Sequence, residues 1–238
     1  MENGELYHRL QQSLKRALDI TLSGIGLILL LPVMVVIALA IRLDSPGPVL
    51  FRHRRVGRNG RLFDLLKFRT MYYGGDDSGY MEYLRQLIES EQDGGGRGLP
   101  YNKMDNDVRV TRTGKVLRRY YLDELPQLWN ILKGEMSLVG PRPHVQFEVD
   151  HYRPEQRRRL LVKPGATGLW QVVGKSNCTF SELIELDLDY IDRWSLGFDL
   201  WIMMNTVWLM LPGGKVIWAR TVKRIPGEER KNSKYATR

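Results

Sequence analysis

Between Ile20 and Ile41 the chain runs without a charged residue. As a helix rising about 1.5 Å per residue, this run reaches roughly 33 Å, enough to cross a hydrocarbon core. A cleaved signal peptide, with Ala38-Leu39-Ala40 as its cleavage site, fits poorly. Glu2, Glu5 and Asp19 precede the run, which also exceeds the usual ~7–15 apolar residues of a leader. Two features complicate a simple span. Pro32 sits mid-run and removes the hydrogen bond to the Ile28 carbonyl. Both flanks are basic, with Lys15 and Arg16 before and Arg42, Arg52, Arg54, Arg55 and Arg58 after. Because Lys and Arg resist translocation, neither flank is readily sent across. A re-entrant helix that breaks at Pro32 satisfies both facts. A kinked full span is the alternative, since spanning helices tolerate proline.

The remaining sequence is that of a small α+β domain. Of 238 residues, 43% are apolar, so a core can form, and the net charge of +9 favours anionic partners: nucleic acid, acidic lipid or phosphorylated small molecules. One cysteine, Cys178, excludes an internal disulfide framework. Residues 1–48 are read as an N-terminal helix and membrane segment, 49–212 as a membrane-associated catalytic domain and 213–238 as a polar tail. Val49–Val56 and Leu62–Met71, joined through Asn59-Gly60, predict a β-hairpin. On its second strand Phe63, Leu65, Lys67 and Arg69 share a face that passes from apolar to cationic. Residues 72–106 read as a mobile insertion with a short helix near Tyr80–Glu91. Thr179-Phe180-Ser181-Glu182 has the form of a capping box. A further helix near Phe198–Leu211 is too short to span. Trp194, Trp201 and Trp208 recur every seven residues and mark either a membrane-interface surface or an aromatic core stripe.

The stretch Leu122–Pro143 carries the chemistry. Leu125, Leu128, Trp129 and Leu132 fit an amphipathic helix and are predicted to face the core, with Asp123, Gln127 and Asn130 grouped opposite and Glu124 at the edge. Pro126 suits a first turn, placing the helix start near Asp123. An Asp there is ordinarily only a cap. Here, however, two adjacent carboxylates stand at a helix start, where phosphate is favoured, and Pro141-Arg142-Pro143 fixes a guanidinium fork able to grip phosphate.

These residues resemble the bacterial polyprenyl-phosphate sugar-phosphate transferases, or monotopic phosphoglycosyl transferases. The resemblance runs from about Lys15 to Leu211, interrupted by 72–106. It includes Lys67-Phe68-Arg69-Thr70-Met71, Asp107-Val108-Arg109, Gly114, Arg118, the whole Leu122–Pro143 block, and Lys163-Pro164-Gly165-Ala166-Thr167-Gly168 with Trp170-Gln171-Val172. It implies a re-entrant helix in one leaflet of the bacterial inner membrane, with the active site on the cytoplasmic face. It also implies that Asp123 attacks the β-phosphorus of a UDP-sugar, that UMP leaves, and that polyprenyl phosphate then takes the sugar phosphate from the aspartyl intermediate. Glu124 is implied as the Mg2+ ligand and a second catalytic carboxylate. Lys67, Arg69, Arg118, Arg142 and Lys175 are implied as phosphate or nucleotide contacts. Leu31, Tyr120-Tyr121 and Lys175 depart from residues common in the family. Membrane lipids are the expected surroundings, no nucleic-acid partner is expected, and a homodimer is among the arrangements left open. Two rival readings are a membrane-tethered nucleic-acid-binding regulator, for which the sequence has no binding motif, and a non-catalytic scaffold of the same fold.

Overall fold

The computed structural model describes residues 2–75, 78–92, 107–173 and 178–211. The apolar run lies within one helix, α1 (Glu2–Asp44), which continues through Pro32. Pro32 lies inside this element. One stripe of α1 packs on the domain along its length. Arg16 donates to the carbonyls of Ile131 and Leu132 at 2.7 Å each. Asp19 accepts from the Leu138 amide at 2.9 Å and the Ser137 hydroxyl at 3.1 Å. Near its other end Ile37 and Ile41 are buried beside Phe68 and Leu117, and Asp44 accepts from the Thr113 amide at 2.9 Å. The opposite stripe is bare: Ile28 is 75%, Leu29 70% and Val36 65% exposed. An apolar surface of that extent on a helix needs lipid or another cover.

The hairpin forms as the turn signal requires. Strands β1 (Leu50–Val56) and β2 (Leu62–Phe68) pair antiparallel, with Phe51 opposite Lys67 and His53 opposite Leu65. Asn59 takes the left-handed conformation at φ 57° and Gly60 follows at 74°. Two further short strands, β3 (Ser137–Val139) and β4 (Gly165–Thr167), pair in parallel. Their approach depends on glycine, because a Cβ at Gly165 would lie 2.1 Å from the Gly140 nitrogen.

Helix α2 (Ser78–Gln92) falls in the segment expected to be a mobile insertion. This part is docked: Leu84 and Leu87 are fully buried, and Leu87 and Ile88 join the core around Phe180, Leu183 and Ile184. Residues 76–77 and 93–106 lie outside the described residues. Of the helices that follow, α3 (Arg112–Arg119) and α4 (Gln127–Lys133) flank the site, and α5 (Gln146–Asp150) and α6 (Leu169–Val173) are single turns. The expected capping box opens α7 (Phe180–Asp192), with Thr179 Oγ1 accepting from the Glu182 amide.

Helix α8 (Leu196–Met210) divides its tryptophans. Trp194 and Trp201 pack on the core around Phe198 and Ile202, while Trp208 is 54% exposed near Met204 and Val207. The seven-residue repeat thus serves both core and outer surface. Lys15 fastens α1 to α8 through Asp199 at 2.5 Å. The tail beyond 211 lies outside the described residues.

Candidate active site

The turn bearing the carboxylate pair is held from both sides. Tyr121 stands in the left-handed region at φ 57° and ψ 19°, a conformation that costs a non-glycine residue about 1–2 kcal/mol. It turns the chain into a 3-10 turn, Leu122–Glu124, and Leu125 and Pro126 carry helical geometry on into α4. The helix expected to start at Asp123 therefore opens as a 3-10 turn. The amides of Glu124, Leu125, Leu128 and Trp129 all bond backbone carbonyls. The tightened first turn thus closes its own i→i+3 bonds from Glu124 onward.

The faces of α4 are also opposite to the sequence expectation. Asp123, Gln127 and Asn130 are buried, whereas Trp129 is 52% exposed. Leu128 lies against Gly26, and Leu125 packs beside Ile37 and Ile41 of α1. The apolar stripe turns toward α1, which supplies the partners of Leu125, Leu128 and Leu132. The polar face turns inward, where β2 leaves an open edge. Asn130 fills that edge as a strand would. Its Oδ1 accepts from the Leu66 amide at 3.0 Å, and its Nδ2 donates to the Asp64 carbonyl at 2.8 Å and to Glu135 at 2.7 Å.

This docking sets the carboxylate pair against cations. Lys67 Nζ lies 3.1 Å from Glu124 Oε1, with both side chains partly exposed. Asp123 is only 4% exposed and lies in the field of Arg118. The Arg118 guanidinium donates to Thr70 Oγ1 at 2.9 Å; burial lowers its pKa, while the Asp123 and Asp107 carboxylates oppose that shift. Asp107 and Arg109 close an ion pair at 2.8 Å, and this bonding holds Asp107 below its ordinary pKa.

Arg142 is positioned by three carbonyl contacts. Pro141 O accepts from the Gly165 amide at 2.8 Å, Arg142 O from Arg159 at 3.0 Å and Pro143 O from Arg55 at 3.2 Å. The Arg142 guanidinium lies over the Trp170 ring, 5.4 Å from its centroid. Arg159 is itself buried and paired with Asp187 at 2.5 Å, and Asp187 also accepts from the Arg142 amide at 3.3 Å.

Arg69 has a different place from the one its motif implies. Its guanidinium donates to the Pro46 carbonyl at 2.6 Å, the Ser45 carbonyl at 2.7 Å and Ser45 Oγ at 2.9 Å. It therefore ties down the turn that leaves α1. Lys175 lies outside the described residues. Sequence reasoning missed Asn130, His53, Arg55, Arg159 and Asp187 as contributors. The signal for His53 and Arg55 was available: they alternate with Phe51 on one strand face. Arg159 and Asp187 carry no such local signal.

The described residues thus bring together a buried carboxylate, the Lys67–Glu124 pair and the Arg118 guanidinium. A family model for bacterial sugar transferases matches residues 10–213. The chain belongs to that family. It is 42% identical over 200 residues to the galactosyl transferase CpsE of Streptococcus agalactiae, covering 84% of this chain and 42% of that protein. It is 39% identical over 193 residues to the exopolysaccharide production protein ExoY of Rhizobium meliloti, covering 81% of this chain and 83% of that protein. A UDP-glucose:undecaprenyl-phosphate glucose-1-phosphate transferase of Caulobacter vibrioides is 41% identical over 203 residues, covering 81% of this chain and 68% of that protein. The chain thus spans about two fifths of the length of CpsE, but most of the length of ExoY.

Proposed function

We propose that this chain transfers a sugar-1-phosphate from a UDP-sugar to undecaprenyl phosphate, at the cytoplasmic face of the bacterial inner membrane, and so begins exopolysaccharide or glycoconjugate assembly. The relatives' names point to the two substrates. The observation that carries the reading is the placement of Asp123: buried, facing Arg118, and beside the Lys67–Glu124 pair on the flank that α1 covers. Both ends of the apolar run bond the same domain. This supports a helix whose two basic flanks remain on one side of the bilayer.

In the first step an Asp123 carboxylate oxygen attacks the β-phosphorus of the UDP-sugar. The bond to the bridging oxygen breaks, and UMP leaves with the electron pair. A phosphate oxygen of undecaprenyl phosphate then attacks the aspartyl phosphosugar, forming the lipid diphosphate sugar and restoring the carboxylate. Such a carboxylate is a competent covalent catalyst. Arg118, Lys67 and Arg142 offset the charge on the transferring group. The described residues contain no cluster of three or more potential metal-ligating side chains. A hard carboxylate donor completed by substrate phosphates and water nevertheless fits Mg2+. Glu124 would hold it, and when bound the ion supplies further neutralisation of phosphate charge.

The test is lipid-free incubation with the cognate UDP-sugar. It should release a burst of UMP no larger than one equivalent per active site, with a sugar-phosphate adduct on the Asp123 peptide. Under verified turnover conditions, strictly lipid-dependent UMP release without an adduct rules out the covalent route.

A further inference from the structure

The strand face that presents Lys67 carries two residues with no part in the transfer steps above. His53 stands opposite Leu65 and one alternation from Phe51, the partner of Lys67. Arg55 Nη2 lies 3.1 Å from His53 Nδ1. A guanidinium can only donate, so Nδ1 accepts and the ring proton sits on Nε2. Burial, with the charges of Arg55, Lys67 and Arg142, pushes the imidazole pKa down to about 3. The ring is therefore a neutral donor at working pH. Tyr80 of α2 meets it edge-on, with ring centroids 6.3 Å apart, and the phenol shares a hydrogen bond with Arg55. Arg55 also holds the Pro143 carbonyl and pairs with Glu148 at 3.6 Å. One buried guanidinium thus positions His53, Tyr80 and the Arg142 loop together.

We infer that His53 and Tyr80 form the wall that receives the nucleoside monophosphate half of the donor, with Arg142 as its phosphate contact. This rests on the transferase reading above and adds to it the end of the site at which the nucleotide binds. Two sides of the reacting centre differ. Toward α1, Leu122 and Leu125 pack with Ile37 and Ile41 beneath a lipid-facing helix, the side from which a polyprenyl chain must come. His53, Tyr80 and Arg142 lie on the other side, beside the core of α2, α7 and Trp170. A soluble nucleotide needs no apolar track, and it has a flat base with carbonyl acceptors. A neutral N–H donor beside aromatic rings suits that base, whereas an imidazolium would attract any phosphate indiscriminately. The docked helix α2 is therefore part of the donor site through Tyr80.

The test uses the full chain in detergent, with UMP as the probe in direct titration and as inhibitor. His53→Ala and Tyr80→Ala should each weaken UMP binding about ten-fold and raise KM for the UDP-sugar. KM for undecaprenyl phosphate should not change. Tyr80→Phe and His53→Asn, which keep a ring and a neutral donor respectively, should retain most of the affinity and serve if the alanine variants fail to fold. Folded variants with wild-type UMP affinity overturn the inference, as does a raised KM for the lipid with UMP binding intact. A wild-type chain that binds UMP yet transfers nothing to the lipid would overturn the transferase reading, while the UMP titrations would still decide the wall.

Discussion

Asn130→Ala tests whether a side chain can stand in for a strand. Asn130 is 1% exposed, and its three hydrogen bonds span 2.7 to 3.0 Å. Truncation leaves the Leu66 N–H and the Asp64 C=O without this partner at the edge of β2. Each orphaned buried group costs about 1–3 kcal/mol, whereas Glu135, with its side chain 26% exposed, can turn to water. Loss of the two backbone partners therefore predicts a destabilisation of roughly 2–6 kcal/mol. The same change loosens α4 from β2, so Glu124 and Lys67 should separate and turnover should fall more than stability alone explains. Denaturant unfolding of the full chain in mild detergent, followed by tryptophan fluorescence, gives the first quantity. UMP release under saturating substrates gives the second. A stability change under about 1 kcal/mol with normal turnover would refute the account, because solvent or a neighbour would then be replacing all three bonds.

Other perturbations test other parts of the structure. Asp123→Asn should abolish the adduct and turnover while the folded state persists, because Tyr121 rather than Asp123 is the N-cap of its turn; residual turnover near wild type would remove Asp123 from the nucleophile role. Gly114→Ala should lower thermal stability and activity together, since the added Cβ would lie 2.1 Å from the Thr70 carbonyl and push α3, with Arg118, off the site; unchanged activity would show that α3 does not position Arg118. Burial, with the neighbouring cations, pushes the His53 pKa from its ordinary 6.5 down to about 3, so the unfolded chain gains a proton between those pH values that the folded chain refuses. Stability should therefore fall on acidification by up to about 1.4 kcal/mol per pH unit for this group, and His53→Gln should flatten a melting-temperature profile taken from pH 7.5 to 5. In a Cys178→Ser background, Tyr7→Cys and Arg61→Cys should both be labelled from the cytoplasmic side only; labelling from opposite sides would establish a full span.

The sequence by itself determined the parts governed by local rules. The charge-free run read as a membrane helix, re-entrant or spanning, because its length and apolarity leave few other solutions. Asn59-Gly60 set the hairpin, Thr179 and Glu182 set the start of α7, and the Asp123-Glu124 pair with Pro141-Arg142-Pro143 marked the candidate chemistry. Tertiary structure decided what those elements face. The amphipathic pattern of α4 was legible, but its orientation was not, since periodicity cannot distinguish a buried core from the flank of α1 as the partner of Leu125 and Leu128. Arg69 and Arg142 are both arginines beside motif residues, yet one grips Ser45 and Pro46 at the end of α1 and the other lies over Trp170. The Arg159–Asp187 pair lies 28 residues apart in sequence, and no local signal joins two charges that meet only when the 3-10 segment Pro154–Leu161 has packed on α7. Helix α2 looked separable because Gly74-Gly75 and Gly94-Gly95-Gly96 bracket it. Its burial depends on Leu84 and Leu87 finding α7 and the core, and that is a long-range contact which composition cannot supply.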